Sequence, residues 1–240
     1  MNRSMSIRPY VTFIAIVLYT IVIGLTVIVA GMFDYGGRIY DLVSKVWSRA
    51  IIITAGIKVR VEGLDSIDRH ASYIFMSNHL SHLDSAAIMA KIPFRIRFFA
   101  KKELLRVPVF GQAIYMSRQI IIDRKNTAAA KKSIGEARER IKKYGFSALV
   151  FPEGTRSTTG ELGEFKKGGF VLAIEAGIPI VPLAVTGSRE LLPAHTLLVR
   201  SGQIKINIGK PIAVTDYTLD TKQALMEKVR DSIIRLGQTG

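Results

Sequence analysis

The polarity of the chain falls into three regimes. Residues 9–33 form 25 uncharged positions rich in Val, Ile and Leu, and about 20 such residues span a bilayer core. Beyond Gly36 and Gly37, the residues Ile39, Leu42, Val43, Val46, Trp47 and Ala50 recur at helical spacing. Arg38, Asp41, Lys45 and Ser48 fall on the opposite side, which is the pattern of an amphipathic helix. Its indole suits the headgroup region of a lipid surface. The other reading of that pattern is a helix whose apolar stripe packs on a domain core. From residue 57 onward, short apolar runs at 57–62, 73–77, 95–100, 119–123, 148–151, 180–186 and 204–208 predict strands. Most lack clean alternation, as expected of strands covered on both faces. Helices are predicted at 84–91, 126–144, 168–177 and 221–236, the last with Leu225, Val229 and Ile233 at four-residue spacing. Strands alternating with helices predict an α/β fold, with a mixed, largely parallel sheet flanked by helices. The expected division is a membrane-inserted helical segment over 1–57 and an α/β domain over 58–240.

Composition narrows the partners. The formal charge is +15, and only Arg3 and Arg8 lie in residues 1–33, so +13 falls on the remainder. Such a balance calls for an anionic partner: nucleic acid, an acidic carrier protein or an anionic membrane. The uncharged N-terminal run selects the membrane, since a nucleic-acid-binding protein has no use for it. No small-x-small cleavage site stands before Asp34, so the run reads as an anchor rather than a leader. Arg3 and Arg8 precede it and Arg38, Lys45 and Arg49 follow, so charge asymmetry assigns no orientation. A helical hairpin seated in one leaflet accounts for both flanks. The absence of cysteine excludes disulfides and a thiolate nucleophile.

Two blocks carry candidate chemistry. Asn78-His79-Leu80-Ser81-His82-Leu83-Asp84 places an imidazole five residues ahead of a carboxylate, where a predicted strand runs out. A neutral imidazole can take a proton from a hydroxyl, and a carboxylate on its other nitrogen would fix the tautomer. That contact requires a sharp strand-to-helix turn. The competing reading of Asp84 is a helix cap, because Ser81-x-x-Asp84 matches a capping box. His79, His82 and Asp84 also offer three potential metal ligands, which keeps a metal-dependent hydrolase open. No G-x-S-x-G elbow occurs, and Gly163 to Gly169 misses the P-loop pattern because Gly169 and Phe170 replace its Lys and Ser/Thr. In Phe151-Pro152-Glu153-Gly154-Thr155-Arg156, Arg156 offers a planar fork matched to phosphate. Gly154 admits close backbone approach, and Glu153 can orient the arginine or accept a hydrogen bond from a hydroxylated ligand. Lys166 and Lys167 precede a predicted helix start, and Pro179 and Pro182 confine their segment to a strand start or sheet edge.

These blocks resemble the motifs of the glycerolipid acyltransferases. His79 and Asp84 match the H-x4-D motif, and residues 151–156 match the phosphate-binding motif of the lysophosphatidic acid branch. Residues 120–124 resemble the intervening motif and residues 178–183 the fourth, in order and spacing over roughly 58–212. The resemblance implies transfer of a fatty acyl group from an acyl thioester, of coenzyme A or an acyl-carrier protein, to the sn-2 hydroxyl of lysophosphatidic acid. Phosphatidic acid is the product. Another lysophospholipid or glycerol-3-phosphate is the alternative acceptor. It further implies His79 as base and Asp84 as its orienter, with Glu153, Gly154, Thr155, Arg156, Arg124 and Lys101 around the acceptor. No metal or redox cofactor is implied. The expected location is the cell membrane, with the catalytic domain on its cytoplasmic side.

Overall fold

A computed structural model describes residues 7–33, 37–123, 126–194 and 196–238. The elements, in order, are α1 (Arg8–Gly31), α2 (Arg38–Thr54), β1 (Ile57–Glu62), β2 (Ile74–Ser77), α3 (Leu83–Lys91), β3 (Ile96–Lys101), α4 (Phe110–Met116), β4 (Ile120–Ile122), α5 (Thr127–Tyr144), β5 (Ser147–Val150), α6 (Gly168–Ala176), β6 (Ile180–Thr186), α7 (Ser188–Leu191), β7 (Gly202–Ile208) and α8 (Lys222–Gln238). Short 3-10 turns occupy Leu64–Ser66 and Lys102–Arg106.

The seven strands form one sheet in the order β1-β7-β6-β2-β5-β3-β4. Every pairing is parallel except β6 with β7. The central strands β2, β5 and β6 are buried along nearly their whole length, which is why their sequences are continuous apolar runs. Edge strand β1 alternates instead, with Lys58, Arg60 and Glu62 exposed. One sheet face is covered by α2 and α3, through Ile51, Ile52, Ala87 and Ile88. The other is covered by α5, α6 and α8, through Ile134, Ile141, Phe170, Leu172, Leu225 and Val229. The result is the mixed, largely parallel α/β sandwich that the alternation of patterns predicts.

Pro182 departs from expectation, because it lies within β6, an interior strand. Strand pairing with β7 begins one residue later at Leu183, and the Pro182 carbonyl still accepts the Gly209 N–H at 2.9 Å, so the missing N–H falls at the end of that ladder. Helix α4 carries no long periodic signal, being seven residues placed directly after Pro108 and interrupted by Gly111. It packs against α1, where a Cβ added at Gly24 would fall 2.9 Å from a methyl group of Val109. That glycine sets how closely the two elements meet.

Helix α2 is mounted opposite to the habit of a helix on a domain in water. Its polar face points inward: Ser44 is buried, Ser48 is 0% exposed, and Asp41 pairs with Arg95 and Arg97 of the sheet. Leu42, 66% exposed, and Ile53, 76% exposed, point outward with Ile39 and Val46. Trp47 turns to α1 rather than outward, its Nε1 donating to Thr20 Oγ1 at 3.1 Å. Within α1, Pro9–Gly31 is long and apolar enough to cross a membrane, and Val11, Ile14, Leu18, Val22, Leu25 and Val29 stand exposed.

Candidate active site

Strands β2 and β5 are parallel neighbours, with Met76 beside Val150. The loops leaving their carboxyl ends therefore emerge side by side, at the edge where open α/β sheets bind ligands. The first loop carries His79 and the second carries Phe151 to Arg156. Asn78 fastens the first loop on its other flank: its amide donates to the carbonyl of Val185 (2.8 Å) and accepts from the Val185 N–H (2.7 Å). The side chain thus continues the β2–β6 ladder one step past the end of β2.

The turn from Ser77 into α3 brings His79 and Asp84 together, with Nδ1 2.9 Å from Asp84 Oδ2. The same oxygen accepts the backbone N–H groups of Leu80 (2.7 Å) and Ser81 (2.8 Å). Asp84 thus makes the carboxylate half of the capping box, accepting the Ser81 N–H, and also holds the imidazole, while the Ser81 hydroxyl does not complete the box. Asp84 is fully buried, whereas the His79 side chain is 16% exposed. With Nδ1–H donating to the carboxylate, Nε2 is left as the acceptor, and the ring is reachable from outside. Phe151 stacks on the imidazole, centroids 4.0 Å apart at 17°. Sequence reasoning assigned Phe151 no role; an aromatic residue ending the strand beside the histidine loop was the available signal.

Ser81 is buried, and its hydroxyl donates to the Leu192 carbonyl (2.9 Å), so it is a structural residue. His82 is exposed at the loop surface. Its pKa is nonetheless lowered, first by partial desolvation and then by the charge of Arg156 and by His79. Arg156 therefore lies on the same rim as both histidines. Among the described residues no three His, Asp or Glu side chains converge as a metal-ligand set, so His79, His82 and Asp84 do not form the cluster their spacing allows.

In the second loop Gly154 adopts φ +76°, a left-handed conformation that side chains disfavour, and its N–H closes a turn onto the Phe151 carbonyl at 2.9 Å. Thr155 is exposed and Arg156 half-buried. Among the described residues Arg156 forms no hydrogen bond or ion pair, leaving its guanidinium available to an anion. Glu153 is buried and does not pair with Arg156; its carboxylate accepts the N–H groups of His79 and Gly163. Lys101, exposed, ends β3 beside Ile122 of β4, on the same carboxyl edge of the sheet. Its neighbour Lys102 is engaged with Asp123 at 3.0 Å. Arg124 lies outside the described residues. Lys166 and Lys167 are exposed before α6.

Known proteins resemble the chain in sequence and in fold. Residues 58–186 match the family model described as Acyltransferase. The chain is 34% identical over 198 residues to a 1-acyl-sn-glycerol-3-phosphate acyltransferase of Limnanthes douglasii, covering 82% of this chain and 70% of that protein. It is 34% identical over 179 residues to the human 1-acyl-sn-glycerol-3-phosphate acyltransferase alpha, covering 75% of this chain and 63% of that one. The crystal structure of the 1-acyl-sn-glycerophosphate (LPA) acyltransferase PlsC from Thermotoga maritima has the same fold, with a TM-score of 0.76 over 96% of both chains at 22% identity. The chain belongs to the acyltransferase family, in its 1-acyl-sn-glycerol-3-phosphate acyltransferase branch.

Proposed function

We propose that the protein transfers a fatty acyl group from an acyl thioester to the sn-2 hydroxyl of lysophosphatidic acid, forming phosphatidic acid. The observation that carries this reading is the His79–Asp84 contact, set beside an Arg156 that is unpaired among the described residues, at the carboxyl edge of the sheet. His79 Nε2 takes the proton of the attacking hydroxyl as the oxygen adds to the thioester carbonyl. Asp84 stabilises the imidazolium that forms and does not itself take the proton. On collapse of the tetrahedral intermediate the C–S bond breaks, and the imidazolium returns the proton to the departing thiolate. Stacking against the face of Phe151 restricts the orientation of the ring. Arg156 and Gly154, with Lys101 and Thr155 at the rim and Arg124 on the strength of the motif resemblance alone, hold the acceptor phosphate, a group that takes no part in the chemistry.

Residues 1–57 seat the catalytic domain of residues 58–240 on the cytoplasmic face of the cell membrane. The exposed apolar residues of α1 and the outward apolar face of α2 support this reading. The acceptor's acyl chain is then buried in lipid while its phosphate lies at headgroup level, where water-borne donor arrives. Turnover of lysophosphatidic acid, measured in parallel with acyl-CoA and acyl-carrier protein, tests the activity and decides the donor. Arg156→Ala is expected to raise the KM for lysophosphatidic acid by about 10- to 100-fold, equivalent to about 1.5–3 kcal/mol for a lost charge-assisted contact. Loss of kcat with unchanged KM would remove Arg156 from the phosphate site.

A further inference from the structure

Glu153 sits in the block assigned to acceptor binding, yet its carboxylate is already occupied. Oε1 accepts the backbone N–H of His79 at 2.8 Å, and Oε2 accepts the backbone N–H of Gly163 at 2.8 Å. The side chain is only 6% exposed, so little of it faces a ligand. We infer that Glu153 is a positioning residue for His79, a strut between the two loops, rather than a ligand of the acceptor. The inference rests on the assignment of His79 as the base.

The arrangement around His79 supports it. Glu153 holds the His79 N–H, and the Ser157 N–H donates to the His79 carbonyl at 2.7 Å, so the peptide groups on both sides of the histidine are tied to the 153–157 loop. Asp84 holds the ring nitrogen and the next two N–H groups of the chain. The imidazole is therefore fixed through its ring by one carboxylate and through its backbone by another. The outer end of the strut is itself backed. Arg230 of α8 donates to the carbonyls of Gly163 (2.5 Å) and Leu162 (2.7 Å), and its guanidinium lies 5.6 Å from the ring centre of Phe165. A continuous line of charge-assisted bonds thus runs from the C-terminal helix, outside residues 58–186, to the backbone of the base. A base held within a fraction of an ångström is what such bracing provides, since a displacement of about 1 Å can cost on the order of 10²-fold in rate.

Glu153→Gln tests the strut, because an amide retains only one accepting oxygen for the two N–H groups. Glu153→Asp, too short to reach both, serves as a second variant if the first weakens the fold. Expected is a fall in kcat of about 10- to 100-fold with the KM for lysophosphatidic acid held within about twofold, as for a group acting only through the base. In a His79→Ala background the same change should cause no further loss. Hydrogen exchange of the His79 amide should accelerate in Glu153→Gln, a readout that needs no turnover. Arg230→Ala should lower kcat in the same direction by a smaller factor. A raised KM with unchanged kcat, a full additional loss without His79, or unaltered exchange of the His79 amide would overturn the inference. An inactive wild-type enzyme would instead sink the assignment of the reaction, while amide exchange would still decide the strut.

Discussion

Helices α2 and α8 are both amphipathic, and they are mounted in opposite senses. Helix α8 buries Leu225, Val229 and Ile233 against the sheet and leaves Glu227, Lys228 and Asp231 to water. Helix α2 buries Ile51 and Ile52 near its end but Ser44 and Ser48 before them, and leaves Leu42, Val46 and Ile53 outside. In water alone the second arrangement forgoes apolar burial, the dominant favourable contribution to folding. It becomes intelligible when a second apolar phase covers the outer face, as the proposed membrane seat provides. The inward face of α2 is then fastened by charge. Asp41 accepts from Arg95 Nε at 2.6 Å and from the buried Arg97, whose guanidinium also donates to the Gly37 carbonyl and lies 4.6 Å from the Tyr40 ring centre. One helix is held along its length by exclusion from water, the other by a buried ion-pair cluster in its first half and by Ile51 and Ile52 in its second.

The contrast can be broken at either helix. Leu225→Glu should be the most damaging change, costing about 4 kcal/mol or more by placing an unpaired charge in the core; chemical denaturation of the detergent-solubilised protein measures it. Asp41→Ala should cost about 3–5 kcal/mol, because it leaves Arg97 as an uncompensated buried cation. A loss below about 1 kcal/mol in the same assay would mean that α2 is not held by this cluster. Leu42→Glu should shift stability in detergent by no more than about 0.5 kcal/mol, as expected of a surface change. It should nevertheless reduce flotation with anionic vesicles, and unchanged flotation would contradict the membrane seat. The smallest effect belongs to the body of the protein. His82 has a folded pKa below its ordinary 6.5, so the unfolded chain binds more protons as pH falls. Its contribution to stability is complete above pH 6.5 and is lost as pH drops below that value. Melting temperatures of His82→Asn across that range should show a shallower decline than the wild type.

Much of this was legible in the sequence, and the part that was not has physical causes. Strands β1 and β6 coincide with their apolar runs, and α3, α5, α6 and α8 with their periodic segments, because each buries what its pattern marks as apolar. The His79–Asp84 contact could be expected because only a tight turn joins a strand end to a helix across five residues. Periodicity identified the two faces of α2 but not which would point inward, since that depends on Arg95 and Arg97, some 50 residues away along the chain. Helix α4 is too short and too interrupted by Pro108 and Gly111 to show a period. The motif offers Glu153 as an orienter of Arg156 or as a ligand of the acceptor, and gives no sign of the backbone groups its carboxylate accepts. Its partners, His79 and Gly163, are backbone groups 74 and 10 residues distant, and backbone donors carry no side-chain signature.

The most direct test is the steady-state rate of acyl transfer from a thioester to lysophosphatidic acid in wild type and in His79→Ala, with His82→Ala alongside. Removal of a positioned general base should lower kcat by about 10²- to 10⁴-fold with little change in KM for the acceptor, while His82→Ala retains most of its turnover. Phosphatidic acid formed at an undiminished rate by His79→Ala, or turnover lost only in His82→Ala, would contradict the account.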